Sequence, residues 1–129
     1  MIEGEASTHI IQALNCIKCV RMCFKQEGQV SMPGVPDIYV EDDNGAFWIE
    51  VKLIKKYPKK GTSKVLEHEF SGKQIKFFKK TSTKSFAIIA DIAEGKTIEF
   101  RIVKKEDIKE NFTLDEFKKL KIWGGEKFW

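Results

Sequence analysis

The chain has 129 residues, 42% hydrophobic and 33% charged, with a formal net charge of +4. That balance suits one globular domain and excludes a fibre, a disordered tail or a helical membrane protein, because no apolar run approaches the roughly 20 residues that a span needs. The acidic start at Glu3 and Glu5 lacks the basic region of a secretory signal, so a cytoplasmic location is expected.

Glu5 to about Phe24 reads as an amphipathic helix, with Ile10, Ala13, Leu14, Ile17 and Val20 on its apolar side. Cys16, Cys19 and Cys23 join them at helical spacing. Their odd number argues against a disulfide framework, and without a fourth ligand or paired spacing they read as a packed apolar stripe rather than a zinc site.

Gly28 to Pro36 breaks the helix and delivers an extended chain into a strand at Asp37-Ile38-Tyr39-Val40. Asp42 to Gly45 supplies a turn, and Ala46 to Lys52 returns as a second strand, making a hairpin. Lys55 to Phe70 is basic and irregular and reads as a loop free to move. Ser71 to Gln74 has the form of a capping box opening a helix to about Lys80. Ser85 to Asp91 and Thr97 to Val103 are further strands joined by a Glu94-Gly95 turn, and Thr113 to Glu116 caps a last helix to about Lys121. Nothing marks a repeat or a second domain, so residues 1–129 read as one unit.

Chemistry concentrates in the hairpin. With period-two alternation, Glu50 and Lys52 share a face with Trp48, and Phe47, Ile49 and Val51 take the other. A turn centred on Asn44-Gly45 places Asp37 opposite Lys52; a turn centred one residue earlier places it opposite Glu50. In either register Asp37, Glu50 and Lys52 converge. Two carboxylates so placed suit a hard divalent cation such as Mg²⁺, and a neighbouring lysine suits a phosphoryl transition state, which is sufficient for phosphodiester hydrolysis. The plainer alternative is that Asp37 caps the turn after Pro36 and that Glu50 and Lys52 are an ordinary solvent-facing pair.

Gly34-Val35-Pro36-Asp37 followed by Glu50-Val51-Lys52 resembles the PD-(D/E)XK nuclease motif. Glu5-Ala6-Ser7-Thr8 with its helix, and Ser71 to Phe78, are similar more particularly to the virus-type replication-repair nuclease (VRR-NUC) domain. The resemblance implies an α/β restriction-endonuclease-like core, a mixed central β-sheet flanked by α-helices. It implies that Asp37, Glu50 and the Val51 carbonyl bind Mg²⁺ or Mn²⁺ and that Lys52 acts on the water and the transition state. It also implies that a first-helix glutamate, Glu5 with Glu3 as the fallback, completes the site, and that Gln74 lies near it. Gln74 is equally explained as a capping-box partner. His9 and His68 are candidate proton-transfer groups that this chemistry does not require.

Domains of this resemblance are often phage-encoded and act as dimers on branched DNA. The expected function is therefore a metal-dependent endonuclease similar to Holliday-junction resolvases, in the host cytoplasm if phage-encoded. A restriction-type enzyme, a nickase and a non-catalytic nucleic-acid-binding module are the alternatives. Lys55, Lys56, Lys59 and Lys60 follow the catalytic strand and are expected to contact the DNA backbone. Phe112, Phe117, Ile122, Trp123, Phe128 and Trp129 are expected to form a homodimer interface.

Overall fold

The computed structural model describes residues 2–26 and 34–129; the helix-breaking run from Gly28 lies outside them as far as Pro33. Six strands form one mixed sheet whose spatial order follows the chain: β1 (Val20–Lys25), β2 (Ile38–Asp42), β3 (Gly45–Ile54), β4 (Ser85–Asp91), β5 (Glu99–Lys104) and β6 (Lys121–Trp123). All neighbours are antiparallel except β3 and β4, which run parallel with Glu50 beside Ala87 and Lys52 beside Ile89. Among the described residues three α-helices flank the sheet: α1 (Glu3–Asn15), α2 (Gly72–Lys80) and α3 (Leu114–Lys118). Among the described residues no helix is long and apolar enough to cross a membrane.

Alternation along β3 sends its two faces into separate cores. Phe47, Ile49, Val51 and Leu53 pack with Ala6, Ile10 and Leu14 of α1. Ile54 lies on the other face with Phe70, Phe78, Ala87 and Ile89. Because both faces are covered, Glu50 and Lys52 retain only 3% and 5% of their exposure, and the solvent-facing reading of that pair is excluded.

The first helix is shorter than its sequence pattern suggests. It closes when the Cys16 N–H turns back to the Ala13 carbonyl and the Ile17 N–H to that of Leu14, and Val20–Lys25 becomes a strand. A bulge between Val20 and Met22 disturbs the pairing with β2, so Val20 and Cys23, three residues apart, both pack against the α1 core. Three is a helical spacing; an inserted strand residue imitates it. The cysteines consequently form no stripe: Cys16 is exposed at the helix end, and Cys19 and Cys23 are half-buried.

The segment from Lys55 to Phe70 is irregular but tied down, correcting the expectation of a mobile loop. Val65 N–H donates to Phe112 O and Phe70 N–H to Glu110 O. The Asn111 side chain brackets Leu66, taking its N–H and donating to its carbonyl. Val65, Leu66 and Phe70 are buried.

The C-terminal aromatics close the core and do not form a free surface. Phe112, Phe117 and Trp123 are buried, and Phe128 and Trp129 pack against the α1 core, leaving Ile122 as the exposed member. Trp129 covers Phe47 with ring centroids 4.8 Å apart and donates its indole N–H to Asp42 over 2.6 Å. The last helix ends at Lys118, and Lys121–Trp123 is a strand on β5 that the sequence pattern did not signal.

Candidate active site

Hairpin pairing decides between the two registers left open above. Asp42 faces Gly45 and Ile38 faces Ile49, so the turn residues are Asp43 and Asn44, and continuing the ladder puts Asp37 opposite Glu50. β2 begins only at Ile38, and here a side chain replaces the backbone ladder: Asp37 Oδ2 accepts the Val51 N–H at 3.0 Å. In an extended strand a residue's C=O projects to the same side as its N–H. Pro36, next in the ladder, has no N–H to offer, so the Val51 carbonyl is left beside Asp37 without a ladder donor. Gly34 brings this segment against α2; its φ is +90°, and a Cβ there would lie 2.6 Å from the Lys73 carbonyl.

Glu50 and Lys52 project towards the first turn of α2. Lys52 Nζ lies 3.9 Å from Glu50 Oε2, donates to Glu69 O at 3.1 Å and to Gln74 Oε1 at 3.2 Å, and stands over the Phe70 ring. Gln74 Nε2 donates to Glu50 Oε2 at 2.9 Å. The same Gln74 completes the capping box, its Oε1 accepting the Ser71 N–H and its own N–H donating to Ser71 Oγ. The two readings of Gln74 are therefore not exclusive: one amide caps the helix and bridges the acidic and basic groups.

Electrostatically the pocket is unbalanced. Glu50 Oε1 is buried with no N–H or O–H donor directed at it, and the Asp37 carboxyl meets Glu50 closely enough to share a proton with it. Burial first, and then the charge of Asp37, push the Glu50 carboxyl up to about 9 despite the opposing pull of Lys52. A carboxylate pair in this condition lacks a positive charge, and a hard cation would give Oε1 its missing partner. Two carboxylates and a main-chain carbonyl could hold such a cation; among the described residues no group of three His, Cys, Asp or Glu side chains suited to a metal occurs.

Glu5 is not at this cluster. It is exposed, on the side of α1 shared by Thr8, His9 and Gln12, whereas Glu3 falls in phase with the buried Ala6, Ser7, Ile10 and Leu14. The helix starts two residues before its expected first turn, which makes Glu3 the inward glutamate. Partial burial raises the Glu3 carboxyl, with Lys52 pulling it down and Asp37 pushing it up, so it senses both site residues. Glu3 also lines a cavity of about 390 Å³ with Ile2, Leu53, Lys55, Glu67 and His68. His68 therefore adjoins the site, and His9 does not. Lys55, Lys56, Lys59 and Lys60 are all exposed just beyond β3, and Tyr57 between them is anchored by donating to the buried Asp91.

No family model matches the chain, and no curated protein matches it. Among solved structures it is similar to Hjc of Archaeoglobus fulgidus, a Holliday junction resolvase from an archaeal hyperthermophile, with a TM-score of 0.52 and 13% identity over 92% of this chain and 89% of that one. At that identity the likeness is one of fold: a mixed six-stranded sheet with flanking helices.

Proposed function

We propose that the protein is a metal-dependent DNA endonuclease of the PD-(D/E)XK kind, acting on branched DNA in the manner of a Holliday-junction resolvase. The observation that carries this reading is the buried Glu50, whose Oε1 receives no hydrogen bond from a donor and whose carboxyl meets that of the half-buried Asp37, with Oε2 3.9 Å from the Lys52 ammonium. A structural ion pair has no use for a second, half-buried carboxylate that raises the buried one's pKa, whereas phosphodiester hydrolysis does. The shared fold with a junction resolvase supports the substrate class.

Asp37, Glu50 and the Val51 carbonyl would hold Mg²⁺ or Mn²⁺, which when bound lowers the pKa of a water and offsets phosphate charge. Lys52 spends two of its three donors on Glu69 O and Gln74 Oε1, leaving one to meet a phosphate oxygen or to orient the attacking water. Gln74 fixes the Glu50 carboxylate and the Lys52 ammonium relative to each other. Glu3 closes the α1 side of the site. Lys55, Lys56, Lys59 and Lys60 receive the backbone of the DNA. Two symmetric incisions in a four-way junction need two sites, so a homodimer belongs to the same proposal. Sequence features within the resemblance favour the VRR-NUC branch of these nucleases.

Labelled single strand, duplex, flap and four-way junction, each incubated with Mg²⁺, Mn²⁺ or EDTA, test the reading. Metal-dependent cleavage with preference for the junction is expected. Binding without cleavage of any substrate in either metal would replace it with a non-catalytic module, and a monomer bound to the junction in light scattering would remove the dimer.

A further inference from the structure

The sheet face that carries Glu50 and Lys52 continues past them into a row of aromatic rings. Phe24, Tyr39 and Trp48 stand opposite one another across β1, β2 and β3. Their ring centroids are 5.2 Å apart for the first pair and 5.3 Å for the second, and Phe77 of α2 meets Trp48 edge-on at 6.3 Å. Trp48 precedes Glu50 by two residues on the same face, so the row lies about 7 Å from the acidic pair. Phe24 is 46% exposed and Met22, in the adjoining row, 48%. Neither of these nor Tyr39, Trp48 or Phe77 belongs to either core cluster.

Phe24 is exposed and Tyr39, Trp48 and Phe77 are half-buried; rings outside the interior that water still reaches mark a binding surface. Its occupant follows from the charges beside it. Lys73, Lys76 and Lys80 share one stripe of α2 and, with Phe77 and Thr81, line an open groove of about 520 Å³. The Lys84 carbonyl accepts the Trp48 N–H from the neighbouring strand. Cations along one side and ring faces along the other match a polynucleotide strand, phosphates to the lysines and bases on the rings. An apolar protein partner would leave the lysines unmatched, and a fully paired duplex keeps its base faces within its own stack.

We propose that the Phe24-Tyr39-Trp48-Phe77 row is a stacking platform for unpaired bases. It selects DNA in which a single strand or branch point exposes bases within about two nucleotides of the scissile phosphate. The proposal rests on the nuclease reading for the position of that phosphate; the binding preference itself does not require cleavage.

Fluorescence anisotropy in EDTA tests it with three labelled DNAs: a forked duplex, a four-way junction, and a perfect duplex closed by covalent hairpin linkers. Phe24→Ala combined with Tyr39→Ala is expected to weaken fork and junction binding about tenfold or more and to leave the closed duplex unchanged. Fork binding should quench tryptophan fluorescence in the wild type and not in Trp48→Phe. If the alanine pair fails to fold, Phe24→Leu with Tyr39→Leu keeps apolar bulk without rings and must show the same loss. Equal losses on all three DNAs, or none on any, overturn the platform. So does a dimer that the ring variants dissociate, which would make this face a contact between copies. A wild type that cuts junctions while the ring variants bind as it does removes the platform and leaves the nuclease reading standing. A wild type that never cuts but keeps a ring-dependent preference for forks does the reverse.

Discussion

Gln74 Nε2 donates to Glu50 Oε2 over 2.9 Å, joining the residue that caps α2 to the buried carboxylate of β3. Helix geometry and site geometry are thereby coupled through one amide, and two substitutions separate them. Ser71→Ala removes the side-chain cap and is expected to cost about 1 kcal/mol of stability with cleavage retained. Gln74→Ala keeps the Ser71 cap, loses the reciprocal half of the capping box together with the bridge, and should lower cleavage by on the order of tenfold. Thermal melting beside single-turnover rates decides; equal effects of the two on rate would reduce Gln74 to a helix cap.

Removing any of the three central groups has a different expected outcome. Asp37→Ala, Glu50→Ala and Lys52→Ala should each lower metal-dependent cleavage on the order of 10²-fold or more and leave the circular dichroism spectrum intact. Turnover close to wild type in any one of them removes that residue from the site.

Stability should carry the signature of the raised Glu50 carboxyl. Its pKa rises from an ordinary 4.5 to about 9 on folding, through burial and then the charge of Asp37. The folded, metal-free protein therefore holds a proton that the unfolded chain gives up. That contribution is fully present below about pH 4.5 and is lost as pH rises through about 9. Calorimetry in EDTA is expected to show Tm falling across this window, a flatter profile for Glu50→Gln, and a rise in Tm with Mg²⁺ at pH 8 in the wild type alone. A wild-type profile parallel to that of Glu50→Gln would contradict the assignment.

The first helix offers a direct comparison. Glu3→Gln is expected to lower the cleavage rate several-fold and shift its Mg²⁺ dependence, while Glu5→Gln behaves as wild type, because Glu3 shares the buried side of α1 and Glu5 faces outward. The opposite order would place the helix in a different phase.

For the lysines beyond β3, replacing Lys55, Lys56, Lys59 and Lys60 by serine should weaken DNA binding and flatten its dependence on salt, without altering which substrate is preferred. An unchanged slope in log Kd against log salt returns them to solvated surface.

The hairpin, the capping box at Ser71 and the strand Ser85–Asp91 were legible because each rests on local chemistry: alternation, a polar cap, a β-branched run. The face shared by Glu50 and Lys52 followed from parity alone. The register with Asp37 opposite Glu50 did not, since it turns on a one-residue choice in the turn that the sequence leaves open. β1 was hidden because a bulge spaces Val20 and Cys23 as a helix would. The start of α1 was placed two residues late by the same misreading, which ranked Glu5 ahead of Glu3. β6 was illegible for a different reason: three residues give too short a pattern, and their strand character comes from the edge of β5 that they meet.

Trp129 has a consequence for the order in which this molecule can be assembled. Its ring lies on Phe47 and its indole N–H is held by Asp42, 87 residues earlier in the chain. A nascent chain leaving the ribosome can pair β2 with β3 early, since that contact is local, but the cover over Phe47 arrives only once residue 129 has been made. Until then Phe47 has the α1 side chains Ala6, Ile10 and Leu14, and later Phe86, to pack against, so the core behind Glu50 forms early from α1 and closes fully only when Trp129 docks.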